Sequence, residues 1–60
     1  MIEVSVLEFT VDVKISSPSG AYCFEQFTVN AVSRYAAESL AEKVMNERDD
    51  VWEYAIIGIQ

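Results

Sequence analysis

From Leu7 to Ile15 apolar and polar residues alternate without a break: Leu7, Phe9, Val11, Val13 and Ile15 against Glu8, Thr10, Asp12 and Lys14. Period two over nine residues predicts a strand with one face buried. Ile2, Val4 and Val6 alternate with Glu3 and Ser5 in the opposite phase, so the pattern slips between Val6 and Leu7. The breakers Ser16-Ser17-Pro18-Ser19-Gly20 then predict a turn. Beyond it, Tyr22 and Phe24 hold one phase, and Phe27, Val29 and Ala31 the other. If Ser16 faces Ala21 across the turn, Ile15 faces Tyr22 and Val13 faces Phe24. An extra residue at Glu25-Gln26 then sets Val11 against Phe27, Phe9 against Val29 and Leu7 against Ala31. A β-bulge is therefore expected at Glu25-Gln26.

The period changes at Ser33. Ala37, Leu40, Ala41 and Val44, with Arg48 as a further candidate and Ala36 and Met45 flanking, recur at helical spacing. Ser33 is placed to cap the helix, and Asp49-Asp50 to end it. Arg34, Glu38, Glu42, Lys43, Asn46 and Glu47 form its wet face. The run from Val51 to Ile59 is aromatic and β-branched, hence a third strand. Trp52, Tyr54 and Ile56 lie on one side of it, Ala55, Ile57 and Ile59 on the other. Trp52 is expected under the helix with Phe9 and Phe27.

These elements make one α+β domain over residues 1–60, with ββαβ order. A right-handed crossover sets strand 3 parallel to strand 2. Strand 1 then lies between them and antiparallel to both. The expected sheet is three-stranded with order 2-1-3, and one helix packs on one of its faces.

Composition adds constraints. Hydrophobic residues are 52% of the chain, high for sixty residues, a size that buries only about 60% of its unfolded surface. A single cysteine, Cys23, excludes an internal disulfide, and with no histidine no zinc site can be built. A small domain without staples is expected to associate. Ile2, Val4 and Val6 at the start of strand 1 and Ile57 and Ile59 at the end of strand 3 converge on one end of the sheet. With Tyr54 as a recognition aromatic, they form the expected interface. The other reading of the phase slips is bulges that turn these side chains inward. A twofold homodimer is expected, sheet on sheet or edge to edge through strand 3.

Ten acidic against four basic residues give a net charge of −6. Phosphate backbones and anionic membranes are bound through Lys and Arg, so neither nucleic acid nor membrane is an expected direct partner. No apolar run approaches the ~18 residues of a membrane span, and the N-terminus lacks a basic leader. The expected compartment is the cytoplasm. Catalytic candidates are few. Without His there is no Ser–His or Cys–His pair, and Gly20 and Gly58 stand alone rather than in a phosphate loop. Glu38 with Glu42, and Asp49-Asp50, are acidic pairs that suit a solvated face and a loop better than a cation site. Cys23 lacks a nearby cation in sequence and reads as a small apolar side chain. No cofactor, metal or enzymatic activity is expected.

The stretch Phe27-Thr28-Val29-Asn30-Ala31-Val32-Ser33, followed by Ala36-Ala37, resembles a pattern in small uncharacterised proteins of phages and mobile elements. There a strand ending in V-x-A-x-S feeds an Ala-rich helix, and a short strand completes a ββαβ unit. The resemblance implies a fold rather than an activity, and a protein that works by binding a host protein. The function expected is that of a small acidic interaction module without catalysis. The alternative is a regulatory module that binds a small molecule or metal at a dimer interface.

Overall fold

The computed structural model describes residues 5–60. Four elements follow in the order β1 (Leu7–Ser16), β2 (Tyr22–Ala31), α1 (Arg34–Asn46) and β3 (Glu53–Ile59). The strands form one antiparallel sheet with order β2-β1-β3. The helix covers one sheet face, so the ββαβ arrangement and strand order expected from the sequence are those observed. Ile2 and Val4 lie outside the described residues, and Val6 precedes β1 rather than belonging to it.

The hairpin differs from expectation. β1 and β2 pair flush from Leu7 opposite Ala31 to Ser16 opposite Tyr22, with no bulge at Glu25-Gln26. The extra residue sits in the turn, which spans residues 17–21. There the Ser17 N–H donates to Ala21 O at 2.8 Å and the Gly20 N–H to Ser17 O at 3.0 Å. Gly20 takes φ +91, a conformation open to glycine at little cost. The turn absorbs the register difference, so the phase change within β2 is a change of face. Phe27, Val29 and Ala31 point toward the helix, with Val11 and Phe9 of β1. Tyr22 and Phe24 point to the uncovered face, with Lys14 and Ser16.

The bulge lies instead in β3. Val11 and Asp12 pair with Ile59 and Gly58, whereas Val13 and Lys14 pair with Ile56 and Ala55, leaving Ile57 without a partner on β1. Ile59 thereby crosses to the helix side and is buried at 8% exposure, while Ile57 is 56% exposed. Strict alternation had grouped the two on one face. A bulge adds one residue, and one residue reverses every side chain beyond it.

The core is small. Val11, Ala31, Ala37, Ala41 and Ile59 form its centre, with Phe9, Phe27, Val29, Ala36 and Ile56 packed against it. Val13 and Met45 are also fully buried. Alanines at 37 and 41 let the helix backbone approach the sheet closely, and Met45, flexible at three bonds, fills the space near the helix end. Ser33 caps the helix in extended conformation, its Oγ accepting from the Ala36 N–H at 3.1 Å. Among the described residues no helix is long and apolar enough to cross a membrane.

Candidate interaction surface

The helix and the hairpin differ in length. Thirteen helical residues at ~1.5 Å span about 20 Å, whereas ten-residue strands at ~3.3 Å span about 33 Å. The helix starts beside Ala31 and runs back along the sheet toward the turn. Its end is fixed by Arg48, whose Nη1 donates to Glu25 Oε1 at 3.0 Å. Glu25 pairs with Val13. Beyond that level Tyr54, opposite Ile15, still reaches the helix end through its hydroxyl, and the hairpin past it has no helix over it. The radius of gyration, 13.3 Å, exceeds the ~10 Å of a compact sixty-residue domain.

This overhanging end carries three aromatic side chains. Tyr22 and Phe24 stand on the uncovered sheet face at 60% and 61% exposure. Their rings meet edge to face, with centroids 5.6 Å apart. The Lys14 ammonium lies 4.4 Å from the Tyr22 ring centroid, a cation–π contact that orders the pair. On the other side, Trp52 precedes β3 and is 63% exposed. It is not under the helix as expected: the helix has ended before its level, and Met45 takes the last buried position. Trp52 instead rims a shallow depression of about 330 Å³ with Ile15, Pro18, Ala21 and Cys23.

Charge frames this end. Arg48 also grips Asp50, with Nη2 to Oδ2 at 2.7 Å and Nε to Oδ1 at 3.0 Å. The hydrogen bond from Arg48 holds the Asp50 carboxyl below its usual range, and the bonds from Asp50 and then Glu25 raise the guanidinium further above its own. The clasp joins the loop before β3 to β2. It thereby fixes where Trp52 emerges, and it occupies Arg48.

The residues expected at an interface have separate places. Ile2 and Val4 lie outside the described residues. Val6 is exposed at the sheet end away from the turn, whereas Ile57 is exposed at the level of Asp12 and Val13, midway along β1, so the two do not converge. Ile59 is core and presents no surface to a partner. Tyr54 is half-buried between β3 and the helix, its hydroxyl donating to Asn46 Oδ1 at 3.0 Å. Tyr54 is a strut joining strand to helix. Tyr22 and Phe24 escaped the sequence reading because pairing them with Val13 and Ile15 placed them in the core. The signal was present in the change of phase at Glu25-Gln26, which means either a bulge or two apolar faces.

No three His, Cys, Asp or Glu side chains converge to hold a metal ion among the described residues. Asp12, on the uncovered face, accepts from Gln26 Nε2 at 2.9 Å. Glu38 and Glu42 line a groove of about 480 Å³ between the helix and β3, together with Arg34. Acidic residues are thus distributed over both faces and the loop. No protein-family model, curated protein or solved structure matches this chain.

Proposed function

We propose that this protein is a non-catalytic interaction module that binds another protein through the overhanging end of its hairpin. The observation that carries the reading is the exposure of Tyr22, Phe24 and Trp52 on one uncovered end of the sheet. Aromatic residues are costly to leave in water and dominate interface energetics, because they bury large rigid areas with little entropy loss. Here three of them sit where no element of the chain covers them, and Lys14 supplies a cation on the face that carries Tyr22 and Phe24. The acidic remainder of the surface suits a partner with basic character around an apolar centre. The expected compartment is the cytoplasm, given the unpaired Cys23. The phage-like strand-to-helix pattern points to a host protein as the class of partner.

The test is capture from a lysate of the source cell with wild-type protein and with a Tyr22→Ser, Phe24→Ser, Trp52→Ser triple variant. A binder retained by the wild type and lost by the triple variant, with far-UV circular dichroism unchanged, is the expected result. A binder retained equally by both variants contradicts the assignment.

A further inference from the structure

We propose that the free edge of β2 pairs antiparallel with β2 of a second copy, extending the sheet from three strands to six across a twofold axis. β1 is the central strand, so β2 and β3 are both edges. Their free sides differ in chemistry.

The hydrogen-bond phase shows what β2 presents. Thr10 exchanges both backbone bonds with Gln60, at 2.8 and 2.9 Å, so Thr10 turns its backbone toward β3. Odd-numbered β1 residues therefore turn theirs toward β2, in line with the Ser17–Ala21 bond at the turn. Their partners on β2 are odd-numbered as well. Tyr22, Phe24, Gln26, Thr28 and Asn30 consequently turn N–H and C=O outward, with no strand to receive them.

Exposed edges are ordinarily protected by Lys, Pro, a bulge or a short length. β2 has none of these over its ten residues, and its one charge, Glu25, is held by Arg48. β3 is shorter, carries the Ile57 bulge, and is flanked by Arg34, Glu38 and Glu42. Helical geometry puts Leu40 and Val44 on the opposite flank of α1 from Glu38 and Glu42, hence above the β2 edge. They are 40% and 43% exposed, beside half-buried Phe27 and Val29. One edge is polar and bulged; the other is flat, unprotected and apolar along its flank.

A second copy fits this wall because the pairing is self-complementary. Centred on Gln26, the antiparallel register sets Tyr22 opposite Asn30, Phe24 opposite Thr28 and Gln26 opposite its own copy. Every outward backbone group is then used. The wall is about 33 Å long and roughly 15–20 Å tall, covering roughly 1,000–1,300 Å² over both copies, just at the size a specific interface needs. The pairing shares Tyr22 and Phe24 with the hairpin-end reading but rests on the outward backbone groups of β2 and the flank of Leu40 and Val44, so the two stand or fall separately.

Sedimentation velocity from about 10 to about 500 μM, a range suited to a small interface, tests it together with amide hydrogen exchange. The expected mass doubles from 6.8 kDa with concentration. The amides of Phe24, Gln26, Thr28 and Asn30 gain protection as the dimer fills, while those of Glu25, Phe27 and Val29 are protected throughout. Thr28→Pro removes an outward N–H that the monomer does not use, and an edge strand tolerates it. It weakens association by about tenfold or more. Val44→Asp, on the exposed helix flank, does so independently, and Tyr35→Ser, off the seam, does not. A monomer over the whole range overturns the proposal. So does protection gained in β3 instead of β2, or undiminished association when folded Thr28→Pro or Val44→Asp is measured.

Discussion

Ile57 and Ile59 differ by two positions and have identical side chains, yet the β3 bulge gives them opposite environments. Truncating each to alanine measures the bulge directly. Ile59 is buried against Val11, Ala31, Ala37 and Ala41. Its loss removes apolar burial and leaves a cavity that a rigid two-layer core fills only partly, costing about 2–4 kcal/mol. Ile57 is more than half exposed, so its truncation costs less than about 1 kcal/mol. A domain of this size holds roughly 3–9 kcal/mol in total, so Ile59→Ala consumes about a fifth of it or more. With a urea slope near 1 kcal/mol/M, the lower end for small proteins, the midpoint falls by roughly 2 M or more for Ile59→Ala and by less than about 1 M for Ile57→Ala. Far-UV circular dichroism is the suitable probe, because Trp52 is already exposed in the native state. Both variants and the wild type are to be compared at one protein concentration, since self-association adds to apparent stability. Equal costs at the two positions would refute the bulge and return both residues to one face.

Other expectations follow from single contacts. Ser33→Ala removes the helix cap and lowers stability by about 1 kcal/mol, read by urea unfolding, while Ser33→Asp preserves it. Asp50 has its carboxyl depressed by Arg48, so its contribution is complete above the ordinary aspartate range. That contribution is lost as pH falls below that range and through the depressed native value. Asp50→Asn therefore flattens the acid limb of a stability–pH curve, and an unchanged limb counts against the clasp. Two copies, each carrying −6, repel one another, so raising NaCl from about 50 to about 500 mM tightens self-association in sedimentation runs.

The sequence made the architecture legible because the two periodicities are clean. Nine alternating residues in β1 and the Ala37, Ala41, Met45 spacing in the helix leave little choice of element, and the crossover rule places the strands. Ser33 was readable for the same local reason: a hydroxyl ahead of an apolar helical stripe. What escaped was register. Whether the surplus residue of the hairpin enters the turn or the strand depends on small differences in turn geometry around Gly20. Alternation cannot weigh these, because both solutions pair Val11 with Phe27. The consequence was large: Tyr22 and Phe24 moved from an inferred core to the open face. The Ile57 bulge escaped likewise, since Ile56, Ile57 and Ile59 are interchangeable in hydropathy and only the pairing with Val11 and Val13 separates them. Trp52 was assigned to the core by its size, whereas the length mismatch between a 20 Å helix and a 33 Å hairpin leaves nothing to cover it.

Photo-crosslinking tests most directly the claim that the hairpin end is where this protein meets its partner. A benzoylphenylalanine is placed at position 24 in one preparation and at position 35 in another, and each is irradiated in a lysate of the source cell. Tyr35 is the more exposed of the two at 82%, but it stands alone on the helix, away from the aromatic cluster. Adducts with this chain itself are set apart by their doubled mass. The expected result is a discrete adduct of a different protein from position 24 and none from position 35. An adduct from position 35 alone, or equal labelling from both positions, would contradict the claim.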